Sequence, residues 1–161
     1  MPDEASLIPK VSDGVVIPGN ARVSIAERKR RLSRFHETYH ARVDAMLRRA
    51  GTRAPGRVHL LSLHSFTPEM QGHKRNFDIG VLFDAHERLA RGFGRALGKQ
   101  GFKVRYNEPY SGYAGLIYAP KRHGEAHGVP YVELEINNAL IREAKGVRRV
   151  ALRVARALRA L

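Results

Sequence analysis

With no cysteine among its 161 residues, this chain can use neither a thiolate nucleophile nor a thiolate ligand. Any metal must be held by His, Asp or Glu. In "LLSLHSFTPEM", residues 60–70, an apolar run that begins at Val58 gives way at His64 to a polar turn closed by Pro68. Taken alone, a histidine at a strand end is first a hydrogen-bonded structural residue. A neutral imidazole there is also well placed to meet a metal in a crevice. Glu133 and Glu135 stand two apart in "VELEIN". In a strand both point to one face, while Val132, Leu134 and Ile136 take the other. Two acids on one face suit a site where a carboxylate activates water, and equally an exposed edge strand where they balance surplus arginine.

His36, His40 and Asp44 recur at i, i+4 spacing and share one helix face. That face borders an apolar stripe and lacks the Glu of a HExxH motif, so packed or surface histidines are expected. The polar segments "HKRNFDIG" and "NEPYSG" flank strand ends. Arg75 could clamp a substrate carboxylate at two points, and Asn107 and Tyr110 could donate hydrogen bonds. "GFGRALG", residues 92–98, is no phosphate loop, since it lies within a helical pattern and lacks the Lys-Ser/Thr ending.

The elements that must position these residues alternate. Residues 1–23 read as an irregular arm with two Ile-Pro pairs, a Ser-Asp-Gly turn and a Gly-Asn turn. Ser24 and Glu27 form a capping-box pattern, and Leu32, Phe35, Tyr39, Val43 and Met46 keep helical spacing to about Ala50, where Gly51 stops the helix. Strands are expected at 57–64, 77–83, 102–106 and 129–136. A helix follows the Asp84/Glu87 capping pattern, a short one is closed by Gly128, and a last one places Val147, Val150, Val154, Leu158 and Leu161 on one face. This alternation predicts a single α/β domain over 1–161 with a mostly parallel sheet flanked by helices. Ligands bind such sheets beyond the carboxyl ends of the strands, where His64 and the end of "VELEIN" fall.

The charge is strongly positive, 29 Lys and Arg against 15 Asp and Glu for a formal +14. Nucleic acid, an anionic surface or an anionic small molecule would be drawn to it. The plainer reading, which we prefer, is arginine coating solvated helix faces. No apolar stretch is long enough to span a membrane and the first residues do not form a signal peptide, so a cytoplasmic location is expected.

Together, "SLIPKVSDGVVIPGN", "FHETYH", "SLHSFTP", "DIGVLFD", "NEPYSG", "RHGEAHG" and "VELEIN", in this order, resemble the N-formylglutamate amidohydrolase family. The resemblance implies an α/β fold similar to zinc-dependent exopeptidases (phosphorylase/hydrolase-like). It also implies hydrolysis of the amide of an N-formyl or other N-acyl amino acid such as N-formylglutamate. The segment "SLHSFTP" makes His64 the metal ligand it implies, with zinc as the cofactor. The segment "VELEIN" points to Glu135 over Glu133 as the catalytic general base. By position, Arg75 and His123 would hold the substrate's carboxylates. Family members carry a substantial portion before the "SLIP" segment, with a histidine-bearing motif that supplies further ligands, whereas no histidine precedes His36 here. The expectation is therefore an N-terminally truncated member. The alternative is a catalytically incomplete fragment acting as a basic nucleic-acid- or anion-binding module.

Overall fold

The computed structural model describes residues 4–12 and 14–161. Contacts gather the chain into two compact units, Met1–Arg49 and Ala50–Leu161.

In the first unit, the arm expected to be irregular is built of short elements. α1 is Glu4–Leu7, β1 (Val11–Ser12) pairs antiparallel with β2 (Val15–Val16), and α2 is Pro18–Ala21. Gly14 supplies a left-handed turn residue (φ 77°) between the strands; its neighbour Asp13 lies outside the described residues. Pro18 starts α2, where its missing N–H costs nothing. Asn20 Nδ2 donates to the Pro9 carbonyl at 2.8 Å and ties the end of the arm to its start.

α3 (Ile25–Arg31) is capped as its sequence requires: Ser24 Oγ accepts the Glu27 N–H at 3.2 Å. The Glu27 carboxylate does not complete the box. It pairs with Arg30 and Arg31, and those hydrogen bonds lower its pKa to about 2. A π-helical turn, Leu32–Glu37, leads into α4 (Thr38–Arg53), which runs through Gly51 rather than stopping there. The wider π turn shifts the phase of everything after it. Phe35, Tyr39 and Met46 of the expected apolar stripe are exposed, and His40 and Leu47 are buried.

The second unit is built on β3 (Leu60–Phe66), β4 (Glu69–Met70), β5 (His73–Lys74), β6 (Ile79–Leu82), α5 (Glu87–Lys99), β7 (Val104–Tyr106), α6 (Tyr118–His127), β8 (Tyr131–Asn137) and α7 (Ala144–Leu158). The main sheet has the order β3-β8-β6-β7. β3 is parallel to β8 and β6 to β7, but β6 and β8 are antiparallel. The expected mostly parallel sheet is thus a mixed one flanked by helices. The reason lies between β3 and β6, where the connection is the small β4–β5 hairpin and no crossover helix. Without a crossover the chain re-enters the sheet in the opposite direction. β3 and β8 therefore share one carboxyl-end rim, beside the amino end of β6.

One sheet face carries Val81, Val132 and Leu134 into the main core, against Phe93, Leu97, Val150 and Val154 of α5 and α7. Only Val150 and Val154 of the stripe expected on α7 are buried; Val147, Leu158 and Leu161 are exposed. On the other face Leu82, Ile117 and Tyr131 form a smaller cluster joined by Leu60 and Tyr110. Asp84 does not cap α5. The residue before the helix is His86, in the left-handed region, and the Asp84 carboxylate receives Lys121 Nζ at 2.6 Å and the Tyr131 hydroxyl at 2.8 Å. Burial alone would raise the Asp84 carboxyl, but these donors and the Ala85 N–H hold it below the ordinary carboxylate range. No helix among the described residues is long and apolar enough to cross a membrane.

Candidate metal centre

β3 extends two residues beyond its expected end, so His64 stands inside the strand rather than at its exit. Its register partner across the parallel ladder is Glu135, and Ser62 is the partner of Glu133. Strand alternation then puts Ser62, His64, Glu133 and Glu135 on one face, opposite the main core. His64 Nε2 lies 3.5 Å from Glu133 Oε2. Among the described residues, His64, Glu133 and Glu135 form a group whose three potential ligand atoms all lie within 4.8 Å of one another.

The two carboxylates are buried, at 3% and 4% exposure, while His64 is open to solvent. Burial raises the pKa of both acids. For Glu133, His64 and a hydrogen bond from the Ser62 hydroxyl pull the other way; for Glu135, His64 and Arg75 oppose it, and Glu133 adds to it. Glu135 Oε2 is buried with no hydrogen-bond partner. A buried carboxylate oxygen left without a donor is destabilising on its own, and a cation beside His64 and Glu133 would satisfy it. The donor set, one imidazole nitrogen and two carboxylates, fits zinc or a similar divalent ion.

Arg75 stands over this group. Its guanidinium lies 5.8 Å from the Phe66 ring centroid and 5.4 Å from that of Tyr110, and it contacts the Thr67 carbonyl and Met70 Sδ. Held by two aromatic faces, it is an oriented cation close enough to act on Glu135. The loop carrying Tyr110 is fixed by Asn107. That residue is itself in the left-handed region, and its Oδ1 accepts the N–H groups of Phe83 (2.9 Å) and Gly112 (3.2 Å). The structure thus uses the oxygen of Asn107 to hold backbone. Gly80, facing Glu135 across the antiparallel ladder, lets the Glu108 carbonyl come down onto the sheet, where a Cβ would collide with it.

His64, Glu135, Arg75 and Tyr110 are therefore brought to one site. His123 lies on α6, buried at 1% exposure. Sequence reasoning named Glu133 beside Glu135 but gave it no role, and it passed over Ser62, although its two-residue spacing from His64 placed it on the same face. It had no signal for the role of Gly80. His36 and His40 meet through Nε2 atoms 3.1 Å apart; Asp44 does not join them in a metal-sized group, in keeping with packed histidines.

A model of the N-formylglutamate amidohydrolase family matches residues 1–142. The chain belongs to this family. It is also similar to the crystal structure of a gene product of Agrobacterium tumefaciens, with 30% identity and a TM-score of 0.82, over 97% of this chain and 62% of that one. A crystal structure of N-formylglutamate amidohydrolase from Ralstonia eutropha JMP134 shares the fold at 20% identity and a TM-score of 0.64, over 91% of this chain and 58% of that one. The chain thus spans somewhat under two thirds of the length of both. No curated protein matches it. In this N-formylglutamate amidohydrolase family member, His64, Glu133 and Glu135 lie together at the shared rim of β3 and β8.

Proposed function

We propose that the chain provides the catalytic face of a hydrolase that cleaves the amide of N-formyl amino acids such as N-formylglutamate. The observation that carries this reading is the unpartnered Glu135 Oε2, buried beside His64 and Glu133, in a family named for that reaction. His64 and Glu133 would hold a zinc ion, with Glu135 facing it. Bound there, zinc would lower the pKa of a water to about 7 and polarise the formyl carbonyl. The likeness to zinc-dependent exopeptidases belongs to the same proposal.

Glu135 acts as general base. Burial raises its pKa, which brings its basicity nearer to the working range of a proton acceptor at neutral pH. It takes a proton from the water as the oxygen adds to the formyl carbon. It returns that proton to the departing nitrogen as the C–N bond breaks, leaving formate and the free amino acid. Arg75, held by Phe66 and Tyr110, receives a carboxylate of the substrate in a two-point contact. Tyr110 closes the other side, and Asn107 positions its loop.

Formate release from N-formylglutamate by the zinc-loaded chain tests the reading. Glu135→Gln should lower kcat by about a thousandfold and leave zinc affinity, read by calorimetry, within severalfold of the parent. Wild-type turnover in Glu135→Gln, or a zinc-loaded parent that releases no formate, would refute it.

A further inference from the structure

The proposed reaction uses one rim of the sheet and leaves most of the positive charge without a role. At the opposite rim, where β3 and β8 begin, an open cleft of about 600 Å³ is lined by His59, His86, Arg88, Arg95 and Lys99, with Pro130 at one end. His59 precedes β3 and His64 lies five positions further along, roughly 16 Å at the rise of a strand. The cleft is therefore separate from the candidate metal centre.

Its cations are arranged, not scattered. Arg88, Arg95 and Lys99 are spaced by seven and four residues on α5, which puts them on a single stripe of that helix. Gly92 lies within the stripe, and the Leu161 side chain reaches to 3.7 Å from where its Cβ would stand. No lining side chain is acidic. On the same helix Arg91, outside the cleft, is paired with Glu87 at 2.6 Å. Arg88, Arg95, Lys99 and His59 have no carboxylate partner among the described residues. Like charges held together in a concavity focus the field and attract an anion more strongly than the same charges on a convex surface. Arg88 and Arg95 are about 10 Å apart along the axis and Lys99 a further 6 Å or so. Long side chains can close that span onto a run of two or three phosphates, and guanidinium forks match their oxygens.

We propose that this cleft is a second ligand site that takes a small polyphosphate-bearing anion. Inorganic tripolyphosphate is the probe, titrated by calorimetry into the full chain at low salt. Binding should weaken steeply as salt rises and should fall by about tenfold or more in Arg88→Ala/Arg95→Ala. It should change less than about twofold in Arg148→Ala/Arg149→Ala, which removes the same charge from α7 outside the cleft. His64→Ala should leave it unchanged, so the result does not depend on the hydrolase reading. Thermal melts of each variant verify folding. Equal weakening by both double variants would assign binding to diffuse charge, and loss in His64→Ala would assign it to the metal centre. A single-stranded oligonucleotide of equal phosphate number that binds more than about tenfold tighter would assign the cleft to nucleic acid. Each of these results, or no binding of tripolyphosphate at low salt, overturns the proposal.

Discussion

Neutralising Glu135 should stabilise the metal-free chain, by an amount that grows with pH. One oxygen of Glu133 and one of Glu135 lie within 4.8 Å of each other. At that separation two full charges repel by about 3.5 kcal/mol at an effective dielectric of about 20. Retention of a proton by one acid offsets part of this. We therefore expect Glu135→Gln to gain about 1–3 kcal/mol at pH 8, a rise in Tm of roughly 3–9 °C for a chain of this size. The sign follows from linkage. Both acids have folded-state pKa values above the ordinary 4.5. Their favourable protonated state is fully present below about pH 4.5, and its contribution is lost as pH rises through the folded values. The parent should lose stability relative to Glu135→Gln across that window, and the two should converge in acid. Zinc should raise the stability of both chains and narrow the difference between them, since its affinity is expected to be similar in the two and its charge offsets the repulsion in the parent. Melting curves from pH 4 to pH 8, with and without zinc, measure all of this. A variant no more stable than the parent at pH 8, or a difference that does not change with pH, would refute the account of two like charges confined in a buried site.

Three other perturbations follow from the same geometry. Asn107→Ala leaves the N–H groups of Phe83 and Gly112 without their acceptor; a loss of about 2 kcal/mol is expected in chemical denaturation, with faster amide exchange at Gly112. Gly80→Ala drives a methyl group into the Glu108 carbonyl; about 1–3 kcal/mol of destabilisation is expected, with Tyr110 ring resonances shifted as its loop is displaced. Arg75→Lys keeps the charge and loses the planar fork that rests on Phe66 and Tyr110; KM for N-formylglutamate should rise about tenfold with kcat changed far less. Equal falls in kcat would instead place Arg75 at the reacting atoms.

The site was legible wherever strand periodicity alone decides which side chains share a face. "VELEIN" fixes Glu133 and Glu135 together whatever the sheet around them, and the same parity in β3 adds His64 and Ser62. Which strand lies beside which was harder to read. The expectation of a mostly parallel sheet came from counting strands and helices, but the direction of β6 depends on the β4–β5 hairpin, whose two-residue strands carry no periodic signal. The antiparallel β6–β8 pair did not disturb the centre, because β3 and β8, which hold all three potential ligands, are parallel and in register. The reversal of β6 has its own consequence at the site. It brings the amino end of β6, and so Gly80, against Glu135, and the absence of a side chain there is what lets the loop of Glu108 and Tyr110 settle over the acids. A parallel β6 would have presented Leu82 at that rim instead. The strand direction that sequence reading missed is therefore the feature that brings the Glu108 backbone down beside the residues it found.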